Sequence, residues 1–189
     1  MGSKLRMPPL LILVMCCDSI MGGSIRSKQT WTYRIRSTRM ATNNESLAGG
    51  ETHLEREGRG EYTMSGYLYF NVDIPQDLEG EVNIYRSNDG GATYKLEPYS
   101  VPRTVVYHTM NTFYKDIVMS SAANCSNFPQ FKDKIELIRA QTFTYNKCLL
   151  SPDGFPTYLP DGIYKFEMQS FGMIELFFEA LVEVTQKTF

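Results

Sequence analysis

Residues 62–72 read YTMSGYLYFNV. Even positions give Tyr62, Met64, Gly66, Leu68, Phe70 and Val72, all apolar apart from one glycine. Odd positions give Thr63, Ser65, Tyr67, Tyr69 and Asn71. A period of two is a strand with one dry face. That face can be dry against a packed core, a partner or a small molecule, and the choice governs the reading of the whole chain. Gly66 at mid-strand marks a bend or a close approach.

Strand patterns recur on either side. WTYRIR (31–36) sets Trp31, Tyr33 and Ile35 against Thr32, Arg34 and Arg36. Residues 40–60 are rich in Asn, Gly and Glu and read as a surface loop. Pro75 ends the strand that follows. EVNIYRSNDGGATYKLE (81–97) is a hairpin around Asn88-Asp89-Gly90-Gly91, whose glycines supply positive-φ positions. TFTYNKCLL (142–150), IYKFEMQSF (163–171) and MIELFFEALVEV (173–184) are further strands, separated by two Asp-Gly turns and by Gly172.

Two segments carry a helical period instead. Val106, Met110, Phe113 and Ile117 line one face of a helix over about 104–120. Phe131, Ile135, Ile138 and Thr142 repeat the spacing, with Pro129 as a start signal, so a second helix is expected there. The sum is a mainly β fold: an immunoglobulin-like β-sandwich or cup of about seven or eight antiparallel strands with one or two short helices.

The N-terminal pattern predicts secretion. Lys4 and Arg6 precede the apolar run Leu10 to Cys17, and Gly22, Gly23 and Ser24 follow. Charge, then grease, then small residues is the order of a secretory signal peptide, here residues 1–24. The run is about half the ~20 residues a membrane span needs, so stable membrane insertion is not expected. A single β domain over 25–189 remains. Its Lys+Arg falls from 19 to 17 and its Asp+Glu from 21 to 20, a net charge of about −3. That balance gives no support to nucleic-acid binding.

Cys125 and Cys148 are left as an even pair in an oxidising compartment. A disulfide between them would close about 24 residues and contribute on the order of 3 kcal/mol; two free thiols are the alternative. Asn44-Glu45-Ser46 is a plausible glycosylation sequon, whereas Asn124-Cys125-Ser126 has its middle residue in the proposed bridge.

Equipment for catalysis is sparse. His53 and His108 are the only histidines, and neither adjoins a nucleophile turn. No metal-binding spacing, P-loop or dinucleotide fingerprint occurs, so no metal, no cofactor and no enzymatic activity are expected. Arg26, Lys28, Arg34, Arg36 and Arg39 form a basic run that could meet an anionic partner or serve as a solvated strand edge. Aromatic residues make up 13% of the chain, and it holds ten methionines. Such residues usually build core, yet they also line apolar ligand cavities.

RGEYTMSGYLYFNVDI (59–74), NCSNFPQF (124–131), Cys148 and DGFPTYLPDGIYKFEMQSFG (153–172) together resemble one family. It is the insect CheB family of secreted chemosensory proteins, related to the ganglioside-activator branch of the ML lipid-recognition superfamily. The resemblance implies a sandwich cup with an apolar cavity, carrying or presenting a lipid or pheromone near sensory neurons. Met64, Leu68, Phe70, Phe166, Met168, Leu176 and Phe178 are the expected ligand-binding residues. The competing expectation is a solid interaction module that docks to a sensory receptor or channel, using exposed Phe177 and Leu181 or the basic strand.

Overall fold

The computed structural model describes residues 29–188. The signal-peptide reading of 1–24, and Arg26 and Lys28 of the basic run, lie outside the described residues. Among the described residues nine strands form two antiparallel sheets. The larger contains β1 (Trp31–Thr42), β9 (Leu176–Gln186), β8 (Gly162–Phe171) and β4 (Glu79–Ser87) in that order. The far edge of β4 is shared by β5 (Lys95–Leu96) and β6 (Val101–Val105). The smaller sheet is β2 (Ala48–Arg56), β3 (Tyr62–Phe70) and β7 (Gln141–Cys148). This is the expected mainly β sandwich or cup.

A continuous helix, α1, follows β6. It is α-helical at Val106–Thr109, π-helical over Met110–Val118 and α-helical again at Met119–Ala122. It connects the large sheet to the small one and sits where the periodicity placed it. At its far end Cys125 is disulfide-bonded to Cys148 of β7, so the helix is tied to the smaller sheet.

The second expected helix is absent: residues 129–140 run as an extended strap. Side chains of α1 take up its backbone polar groups. Asn111 donates to Ile135 O and accepts from Ile135 N, Tyr114 donates to Pro129 O, and Lys115 reaches Lys132 O and Asp133 O. A chain so satisfied gains nothing from coiling on itself. The apolar spacing survives because Ile135 and Ile138 pack into the core cluster beside α1.

Two other expectations change. The loop read at 40–60 contains β2, paired with β3 along its whole length. The first strand is longer than 31–36 and carries a bulge between Ile35 and Ser37. The bulge shifts the inward face from odd to even positions, so Trp31 and Ile35 are buried before it and Thr38 and Met40 turn inward after it.

The core is divided. One cluster joins Ala48, Ile74, Leu78, Tyr107, Ile138, Phe143 and Ile174. The other gathers Trp31, Val82, Ile84, Leu159, Tyr164 and Val184. Tyr107 is the polar pin of the first: its hydroxyl donates to Ile74 O (2.9 Å) and accepts from Ile138 N (3.0 Å).

Three tyrosines pin loops in the same way. Tyr33 donates to Leu150 O, Tyr114 to Pro129 O and Tyr164 to Pro160 O. Burial pushes the pKa of each up to about 12.

Removing the Tyr107 hydroxyl in Tyr107→Phe strands a carbonyl and an amide in the core. A loss of about 1–3 kcal/mol is expected in urea unfolding. The raised phenol values fix a second outcome. A folded chain that holds these protons while the unfolded chain releases them is fully stabilised below the ordinary phenol value of 10.0. Stability should therefore fall as pH rises from about 10 to about 12, with phenolate absorbance appearing together with unfolding; early, non-cooperative ionisation of all tyrosines would contradict this.

Candidate functional site

The seven expected ligand-binding residues fall on the facing sides of the two sheets. In the larger sheet Met168 pairs with Phe178 and Val82, and Phe166 with Ala180 and Ile84. Leu176 and Phe178 continue that face toward β1, opposite Thr42 and Met40. In the smaller sheet Leu68 pairs with Gly50 and Phe143, Phe70 with Ala48, and Met64 with Leu54. Leu68 and Phe70 pack against the first core cluster and Phe166 against the second.

None of the seven is fully buried. Six are half-buried and Met168 is 43% exposed, although Tyr164 on the same face of the same strand is 2% exposed. The amphipathic stretch Met110–Val118 of α1 likewise contains no buried residue. Between the two core clusters, then, the apolar inner faces are only partly covered.

The reading of the opening strand needs one correction. Its even face is the inward one, Met64 pairing with Leu54, but Thr63 and Ser65 on the odd face are also buried. They lie beneath polar neighbours. Ser65 Oγ accepts from Lys147 N, its hydroxyl draws the Glu55 carboxyl below its usual pKa, and Lys147 pairs with Glu57. Gly66 does leave space, but for the protein itself. A Cβ there would collide with Glu51 O and come within 2.7 Å of the Tyr145 hydroxyl. Its φ of +155° adds to the requirement for glycine.

Sequence reasoning missed the residues nearest that hydroxyl. Thr52 Oγ1 lies 3.2 Å from Thr38 Oγ1, joining β2 to β1, and Tyr145 Oη lies 3.4 Å from Glu51 O. Burial raises the Tyr145 pKa and a hydrogen bond to Thr52 partly offsets it. Met40 Sδ would be 2.8 Å from a Cβ on Gly50. The signal was present in β2: Ala48, Gly50, Thr52 and Leu54 alternate with Gly49, Glu51, His53 and Glu55.

The outer face of the large sheet is charged and paired. Arg34 and Arg36 bind Glu183, and Arg39, brought to the same face by the bulge, binds Glu179. The two arginines hold the Glu183 carboxyl below its usual range. Phe177 and Leu181, expected to be exposed, are half-buried, and the Arg39 guanidinium lies 5.1 Å from the Phe177 ring centre. A cleft of about 310 Å³ opens beside the β4–β5 hairpin, lined by Arg36, Ser87, Asn88, Asp161 and Glu183 among others. It contains none of the seven residues. Hydroxyls of Ser87 and Thr93 hold Asp89 well below the ordinary carboxylate range, which makes the aspartate a structural brace of the hairpin.

Among the described residues no cluster of three or more His, Cys, Asp or Glu is arranged to hold a metal ion. No helix in that range is long and apolar enough to cross a membrane. Asn44 is exposed at the β1–β2 corner, where its Oδ1 accepts from Ser46 N and Ser46 Oγ. Asn124 is exposed beside the disulfide.

No curated protein matches the chain. Residues 80–166, which run from β4 through α1 and both cysteines into β8, match a family model described as a protein of unknown function, DUF1091.

Proposed function

We propose that the protein is a secreted, non-enzymatic carrier or presenter of a hydrophobic ligand, a lipid or pheromone, in insect chemosensation. One observation carries the reading. The inner faces bear Met64, Leu68, Phe70, Phe166, Met168, Leu176 and Phe178, and none of these is fully buried. Apolar side chains left partly wet between two finished core clusters gain from a ligand that covers them, at roughly 25 cal/mol per Å². The resemblance to the insect CheB proteins, and through them to the ganglioside-activator branch, supplies the secreted and chemosensory part.

The alternative, docking to a sensory receptor or channel, has less support. Its expected contacts are engaged within the domain, since the basic strand pairs with Glu179 and Glu183 and Arg39 covers Phe177.

Met168→Lys separates the two readings. The side chain is exposed enough for the variant to fold, yet a charge on the inner face opposes an apolar occupant. Displacement of N-phenylnaphthylamine by long-chain lipids should weaken at least tenfold while thermal stability stays near wild type. Unchanged displacement would remove the inner face as the site, and a wild-type protein that binds no lipid probe would remove the carrier reading.

A further inference from the structure

We infer that Asn44 carries an N-linked glycan whose innermost sugars pack on Tyr69 and Tyr67, two rings on the outer face of the smaller sheet. This rests on the secreted part of the proposed function and not on the carried ligand.

The sequon is arranged for reaction at the β1–β2 corner. Asn44 is exposed, and its Oδ1 accepts from Ser46 N (3.1 Å) and Ser46 Oγ (2.6 Å). That turn leaves Nδ2 without a partner among the described residues. Transfer from a lipid-pyrophosphate-linked oligosaccharide moves the sugar C1 from a pyrophosphate oxygen to Nδ2. Nδ2 gives up one proton, and the lipid pyrophosphate leaves.

The same corner is held against the end of β3. The Asn71 side chain donates to Ser46 O (2.9 Å) and the Asn71 N–H to Leu47 O (2.8 Å). Tyr69 Oη donates to the carbonyl of Glu45, the residue next to Asn44 (2.9 Å). Gly49, opposite Tyr69 on β2, makes room for that reach: a Cβ there would stand 2.6 Å from the Tyr69 oxygen and within 3.0 Å of its ring. Tyr67 follows on the same face. Its ring is nearly parallel to that of Tyr69, at 21° with centres 6.4 Å apart, and Tyr67 is 40% exposed. The first sugar meets Tyr69, and the chain runs on toward Tyr67.

The surroundings match a sugar. A pyranose has an apolar C–H face and a rim of hydroxyl groups. The negative face of an aromatic ring takes up the first, and polar neighbours take up the second. Exposed Glu51 and Thr144 flank Tyr67 across the sheet, and exposed Thr142 flanks Tyr69. A hydrocarbon on the same rings would desolvate the Glu51 carboxylate without pairing it. Attachment at Asn44 also keeps the sugar at high effective concentration, so a weak contact suffices.

The test uses protein secreted from insect cells, in an Asn124→Gln background so that one sequon remains. Glycopeptide mass spectrometry should find Asn44 occupied, and nuclear Overhauser contacts should join the innermost sugars to the ring protons of Tyr69 and Tyr67. Thermal midpoints are then compared before and after peptide N-glycosidase treatment. Glycan removal should lower the midpoint by about 2–4 °C, the size of one aromatic contact in a domain of this length. Tyr67→Ala should lose that difference and Tyr67→Phe should keep it. Taking the difference within each variant cancels the aspartate that deglycosylation leaves in place of Asn44. An unoccupied Asn44 on secreted protein, absence of the sugar–ring contacts, or an equal midpoint change in all three chains would overturn the inference while leaving the carrier reading, which probe displacement tests, intact. A chain retained inside the cell would overturn both the inference and the secreted part of the function.

Discussion

The Tyr107 hydroxyl joins α1 to two irregular pieces of chain that also bond to each other, Ile74 N donating to Ile138 O. It donates to Ile74, just after the β3 edge, and accepts from Ile138 in the extended strap, while its own backbone belongs to α1. A strap without helix or ladder must have its peptide groups satisfied from outside, or it pays for burying them. Tyr107, Asn111, Tyr114 and Lys115 perform that service along one flank of α1. The helix is thereby committed to the strap and, through Cys125 and Cys148, to the smaller sheet. It bridges the two sheets on one side, and the β1–β2 corner joins them on the other.

The division of the core follows from this arrangement. Helix, strap and the Ile174 turn complete one apolar cluster, and Trp31 with the segment around Leu159 completes the other. On the facing β-surfaces Met64, Leu68, Phe70, Phe166, Leu176 and Phe178 are half-buried and Met168 is exposed. Gly50 and Gly66 thin the smaller sheet there, and Met40 and Tyr145 take up the space the glycines leave.

Much of the sandwich was legible in the sequence, because period two in 62–72, 163–171 and 176–184 is a direct imprint of one buried face. The disulfide was legible from Cys125 and Cys148, the even pair expected to remain once an N-terminal signal is cut. The first helix was legible from Val106, Met110, Phe113 and Ile117. What escaped had physical causes. Residues 48–56 carry two adjacent glycines and three charges, which hid a strand whose partners are in β3. The strap imitated a helix because Ile135 and Ile138 keep a spacing set by the neighbouring helix and core, not by their own backbone. The bulge at Ile35–Ser37 reversed the inward face of β1, an event of register that local composition does not record. For that reason the inward position of Thr38 was not legible.

The central claim is that a ligand occupies the space between the sheets. Carbon-13 methyl spectra of methionine-labelled protein test it most directly, because Met40, Met64 and Met168 lie on the inner faces and Met173 is exposed in the β8–β9 turn. On adding a long-chain lipid, the account predicts saturable shifts at Met40, Met64 and Met168 with Met173 unmoved. Shifts confined to Met173, or no shift at the three inner methyl groups at saturating ligand, would contradict it.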